Sequence, residues 1–226
     1  KIATKADITA SNTHLQLKSW IRMVNNVAKI LKGLNNVHFA KFNGEDYDVP
    51  VRIKYAKKIE NTLNFETEND WADDEIVCTE SGFSGGEGTL TTLGLTAEEQ
   101  VLLFGNEKVA GGAVVKSSDI APMGAFLFER KMKNSTAKRL YVVYACKCSP
   151  SSFGGETIEE GKGAAGESEI SYTITENSTY GIYYFIDTDV EGVDKEQIDN
   201  WYKSVQKPKA VPTGESRKNR AVKKEE

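Results

Sequence analysis

The chain of 226 residues is 39% hydrophobic and 27% charged, which suits one domain with a substantial core. No run approaches the roughly 20 apolar residues that a membrane-crossing helix needs. Leu15 to Leu31 is broken by Lys18, Arg22, Asn25, Asn26 and Lys29, unlike the apolar heart of a secretory leader, so a protein assembled in the cytoplasm is expected.

The three cysteines, Cys78, Cys146 and Cys148, are an odd count that argues against a disulfide scaffold. Cys146-Lys147-Cys148 would put two sulfurs on one face of a strand. That spacing is tighter than a zinc site wants, and His14 and His38 lie far off in sequence. Buried or half-buried thiols, with no metal and no cofactor, are the expectation.

The net charge of -4 is segregated: residues 1–32 carry +5, residues 203–226 carry +5, and residues 33–202 carry -14. Such ends can be solvated tails, nucleic-acid-binding tails, or arms that dock on the acidic body of a neighbouring copy. The expected division is a basic N-terminal arm over 1–32, a β domain over 33–206 and a flexible basic tail over 207–226.

In chain order, Trp20, Val24, Val27, Ala28 and Leu31 fall at helical spacing, so the arm can form a helix before Gly33. Val37 to Phe42 reads as a first strand. Val49, Val51, Ile53 and Tyr55 alternate as one face of a second. Leu63, Phe65 and Thr67 alternate with Asn64, Glu66 and Glu68, the pattern of a half-buried strand. Trp71 to Glu75 reads as an acidic turn, Gly82 to Gly88 as a glycine-rich loop, and Thr89 to Leu93 as a short strand.

Thr96-Ala97-Glu98-Glu99 is a capping box, and Gly105 closes the short helix it opens. Strands are predicted at Ala113 to Val115, Ala125 to Arg130 and Arg139 to Cys146, the last stopped by Ser149-Pro150. Residues 151–168 are rich in Gly and Glu and read as a mobile loop. Ile170, Tyr172 and Ile174 alternate, and Gly181 to Ile186 is a final strand. Asp194 opens a helix that carries Ile198, Trp201, Tyr202 and Val205 on one face and stops before Pro208. The pattern predicts a mainly β chain: an antiparallel sandwich or barrel with one or two flanking helices.

Signals for catalysis are weak. Ser81 to Gly88 lacks the Gly-Lys-Ser/Thr of a phosphate loop and places Glu87 where a cation belongs. Neither histidine sits in a nucleophile motif, and Cys78 has Glu75 and Glu80 nearby, which disfavour a thiolate. The pairs Asp73-Asp74, Glu98-Glu99 and Glu159-Glu160 have no aromatic cleft to work in.

Several stretches, taken in order, resemble the major tail protein family of long-tailed phages. They are Gly33 to Ala40, Leu63 to Glu66, Asn69 to Asp74, Gly88 to Glu99, Gly124 to Glu129, Arg139 to Tyr144, Phe153, and Asp187 to Asp189 leading to Ile198 to Tyr202. The resemblance covers about residues 33–205, and residues 6–32 depart from the family's usual short arm.

It implies a non-enzymatic, virion-located tube subunit with a tail-tube β fold. Hexameric rings of the subunit would stack into a hollow tail tube. Partners would be the chain itself, the tape-measure protein, the tail terminator and distal tail or baseplate proteins. Double-stranded DNA would pass without specific binding, and no membrane would be involved. Asn64, Glu66 and Glu68 are expected to border the lumen or a ring contact. Lys18, Arg22, Lys207, Lys209, Arg217 and Lys218 are expected in inter-subunit arms. A subunit of a contractile or secretion-type tube shares the architecture, and a carbohydrate- or host-surface-binding β-sandwich is the alternative of another class.

Overall fold

The computed structural model describes residues 29–72, 74–150, 154, 166–190 and 192–209. The expected helix before Gly33 lies outside these except for its last residues, and there the chain is already extended. Leu31 opens strand β1 (Leu31–Lys41) and pairs with Met132. The remaining strands are β2 (Val51–Arg52), β3 (Ala56–Ala72), β4 (Glu75–Thr92), β5 (Glu107–Val109), β6 (Gly112–Val114), β7 (Met123–Met132), β8 (Lys138–Cys148), β9 (Ser168–Ile174) and β10 (Tyr183–Asp187), with helices α1 (Ala97–Phe104) and α2 (Lys195–Asp199). The fold is thus mainly antiparallel β.

Eight strands form one sheet, ordered β2-β1-β7-β8-β9-β4-β3, with β10 also paired to β8. β8 is the fork. Arg139 to Val143 pair with β10, whereas Cys146 to Cys148 pair with β9. Ala145, at the branch, has φ 48°, and the register against β7 slips between Gly124 and Phe126. This is a β-bulge, in which an extra residue bends the strand and raises its twist. The bulge also resets the alternation. Val143 shares its face with Cys146 and Cys148, while Val142 and Tyr144 point to the other.

Each face therefore has its own core. Phe126 and Phe128 of β7 point to one, with Phe39, Val143, Tyr172 and Ile174, and α1 closes it with Leu103 and Phe104. Ala125 and Leu127 point to the other, with Leu140, Tyr144, Trp201 and Val205. A strand buried on both faces reads as a continuous apolar run, as Gly124 to Phe128 does.

α1 forms as its capping box predicts. The Thr96 hydroxyl accepts from the Glu99 amide, and the buried Glu99 carboxylate accepts from the Thr96 amide at 2.8 Å and the Lys54 amide at 2.9 Å. One side chain thus caps the helix and ties it to the β2–β3 connection. Gly105 ends the helix at φ 72°, where a side chain would strike the Ile120 carbonyl.

Four sequence expectations need correction. The helix that Asp194 opens ends at Asp199, well short of Pro208, so Trp201, Tyr202 and Val205 follow it and do not share its face. Val49 to Tyr55 is not one strand face. Only Val51–Arg52 pair, Ile53 is the one buried residue of the four alternating residues, and Tyr55 turns the chain at φ 57°. Gly82 to Gly88 is not a loop but the middle of β4. A Cβ on Gly88 would stand 2.2 Å from the Tyr172 ring, and one on Gly86 would stand 2.7 Å from the Thr62 carbonyl. These glycines mark close approach across a sheet, not a break in it. The strand around Phe65 is not half-buried: Leu63 is, but Phe65 is 62% exposed. The expected 151–168 loop lies almost wholly outside the described residues.

Candidate assembly surfaces

β3 and β4 are far longer than the strands beside them. β9 covers β4 only from Gly86 to Thr92, so the remainder pairs with β3 alone. The result is a two-stranded ribbon that leaves the body near Leu63. β3 runs to Ala72 and β4 begins at Glu75, its register partner. An isolated two-stranded ribbon is marginal in water.

The ribbon has two faces. Phe65 packs on Phe83 across the strands at 5.6 Å between centroids, and Thr67 meets Ser81 and Asn69 meets Thr79 through side-chain hydrogen bonds. Trp71, opposite Ile76, continues this face and is 66% exposed. The other face carries Glu66 opposite Gly82 and Glu68 opposite Glu80. Like charges directly opposite destabilise a sheet. Among the described residues none of these glutamates forms an ion pair. Asn64, Glu66 and Glu68 are all exposed, and Glu66 and Glu68 line a concavity with Glu80 and Ser81 to Ser84.

Sheet edges are the second feature. β3 pairs only with β4, and β10 only with β8, so each has an unpaired flank among the described strands. An aromatic row, Phe128, Tyr141 and Phe185, crosses β7, β8 and β10 to that flank. Arg139 lies 4.5 Å above the Phe185 ring while its guanidinium forks onto Asp187. Between the ribbon's root and this row lies a cleft of about 230 Å³ lined by Asn61, Leu63, Tyr141, Val143 and Tyr183. That is below the usual size of a small-molecule site.

The predicted arm residues divide. Lys18, Arg22, Arg217 and Lys218 lie outside the described residues. Lys207 and Lys209 are engaged within their own chain. The Lys207 ammonium sits 4.9 Å above the Tyr180 ring and 3.8 Å from Asp46, and Lys209 pairs with Asp194 at 2.6 Å. The backbone there is fastened too, since Tyr144 donates to the Gln206 carbonyl at 2.6 Å and Gln197 to the Lys207 carbonyl at 3.0 Å. At the other end Lys29 pairs with Asp187 and Asp189.

Nucleophile and metal chemistry find little to use. Burial drives the Cys146 thiol well up and the Cys148 thiol up to about 12, so neither forms a thiolate near neutrality. Burial foremost lowers the His38 pKa, and the ring lies against Tyr202. Among the described residues no three His, Cys, Asp or Glu side chains gather as a metal site would require.

Comparison with known protein families finds no match, and none is found among curated proteins. Among solved structures the chain resembles the anti-feeding prophage cap, described as that particle's tube-terminating cap. The two are 8% identical, with 71% of this chain and 95% of that chain covered and a TM-score of 0.39. An overlap that loose carries no argument here, and function rests on the surfaces just described.

Sequence reading found the β3 side of the ribbon as a strand, but read Gly82 to Gly88 of its β4 side as a loop and did not find its projection. It missed the aromatic row and the free flank of β10. Only strand pairing reveals these, because Tyr141 and Phe185 are neighbours through register and not through spacing.

Proposed function

We propose that the chain is a structural subunit of a phage tail tube, built to associate with copies of itself and not to catalyse. The observation that carries this is the β3–β4 ribbon, which projects from a well-packed body with Phe65, Trp71 and Val77 each more than 60% exposed. Exposed apolar side chains on a long strand pair with a free edge invite pairing with another chain. In a ring that invitation is satisfied, because each copy's edge meets its neighbour's. Repetition of a head-to-tail contact then stacks rings into a tube. The ordered family-like stretches in the sequence support the same assignment, with hexameric rings enclosing first a tape-measure protein and then DNA.

Charge fits the role. Non-specific affinity for DNA comes mainly from cations that neutralise phosphates. A body carrying -14 over residues 33–202 supplies acidic surface to line a channel that must release a polyanion.

Size-exclusion chromatography with light scattering on the full chain tests the proposal. Concentration-dependent growth to rings and larger species is expected. A monomer at every concentration and ionic strength contradicts it.

A further inference from the structure

The strand register lines up cations at one end of the sheet. Lys32 of β1 lies opposite Lys131 of β7, which lies opposite Lys138 of β8, and in the next row Arg130 lies opposite Arg139. Two of these are compensated: Lys138 by buried Glu129, and Arg139 by Asp187. Lys32, Lys131 and Lys133 are exposed, and among the described residues none of the three forms an ion pair. In-register like charge works against the sheet that holds it, so this row is a surface whose compensation comes from elsewhere.

The acidic face of the ribbon is its complement. Glu66, Glu68 and Glu80 are exposed and equally without ion pairs among the described residues. The pairing also places the two features toward one end of the sheet. Gly86 of β4 is level with Ile174 of β9, Cys146 of β8 and Gly124 of β7. From that level β4 runs back toward Glu80 in the direction in which β8 runs back toward Lys138. At about 3.3 Å per residue, Glu66 and Glu68, counted along β3 from Leu63 opposite Gly86, lie about 10 and 17 Å away, and Lys131, counted along β7 from Gly124, lies about 23 Å away toward the same end.

Their common end favours one kind of contact. A rotation about an axis running along the strands keeps each feature at its own height, so it can bring one copy's ribbon to a neighbour's basic row. A translation along the strands sets this end of one copy against the opposite end of the next. We infer that Lys32, Lys131 and Lys133 receive the Glu66, Glu68 and Glu80 face of the ribbon of a second copy in the same ring. The contact rests on the tail-tube proposal and narrows it, since it puts the acidic face at a lateral subunit contact and not on the lumen. Complementary charge of this kind steers encounter and fixes register, and it weakens as salt rises.

The test is charge exchange in the full chain. Lys131→Glu with Lys133→Glu, Glu66→Lys with Glu68→Lys, and all four together are compared with the unaltered chain by sedimentation velocity over a concentration series, with circular dichroism to confirm folding. Each pair alone should raise the concentration for half-assembly on the order of tenfold, and the four together should recover most of the loss. If the unaltered chain assembles and the reversed pairs assemble equally well, or the quadruple variant shows no recovery, the lateral contact is overturned while the tube proposal stands. If the unaltered chain never assembles, both fall. Should a reversed pair fail to fold, Lys131→Gln with Lys133→Gln serves instead. It should weaken assembly and flatten its salt dependence, and an unchanged salt dependence overturns the contact.

Discussion

The Tyr172 hydroxyl donates to Asn61 Oδ1 at 2.6 Å, with its ring laid across the backbone of Gly88. Asn61 and Gly88 are register partners on β3 and β4, and Tyr172 pairs with Gly88 from β9. One side chain thus crosses two strands and fixes the root of the ribbon. Because a Cβ on Gly88 would stand 2.2 Å from that ring, Gly88→Ala should lower stability by about 1–3 kcal/mol through overpacking. Tyr172→Phe, which loses only the hydrogen bond, should cost about 1 kcal/mol. Thermal or urea unfolding reads both, and a Gly88→Ala protein as stable as the parent would refute this account of the root.

Trp201 follows α2 and is fully buried against Tyr184 and the Leu140, Val142 and Tyr144 face. Trp201→Ala should destabilise by about 3–5 kcal/mol, and it should loosen the 205–209 segment that Tyr144 and Gln197 hold. Denaturant midpoints and proteolysis after residue 200 would show both effects.

Glu99 serves three amide or hydroxyl donors at once. Glu99→Ala leaves the Thr96 and Lys54 amides without it, and should cost about 1–2 kcal/mol, the upper range for a cap. Glu99→Gln keeps an acceptor and should cost less, which separates lost hydrogen bonding from lost packing.

The Asp187 carboxyl is held below its ordinary pKa, first by the Arg139 guanidinium and then, against a smaller cost of burial, by Lys29. Its folded pKa lies below its unfolded one. The pair therefore stabilises fully above the ordinary carboxylate range, about pH 4, and loses that contribution as pH falls through the folded value. Asp46, lowered first by its bond from Tyr180, acts in the same window and in the same direction. Unfolding midpoints should thus drop on acidification below about pH 4, and Asp187→Asn should flatten part of that slope. An unchanged slope would contradict the assignment.

Much of the body was legible in the sequence because its signals are local. The capping box at Thr96 and Glu99, the alternation of Ile170, Tyr172 and Ile174, and the Asp194 cap each depend on residues a few positions apart and form as read, although the helix that Asp194 opens ends at Asp199, before Trp201. The failures come from distant partners. Gly82 to Gly88 looks like a loop until Tyr172 is seen to need the space. Leu31 falls at helical spacing with Trp20 and Val24, yet it pairs with Met132. The phase reset at Ala145 leaves no local mark, since alanine is not a residue that announces a positive φ. Of the candidate site, Asn64, Glu66 and Glu68 were found as a polar face. Their place on a projecting ribbon, toward the same end of the sheet as a basic row, follows only from register.

Whether copies of this chain enclose a channel is settled most directly by negative-stain imaging of the full-length protein at high concentration and low salt. Stacked annular particles with a stain-filled centre are the predicted result. A field of uniform single subunits, in a preparation whose circular dichroism shows the β fold intact, would contradict the account.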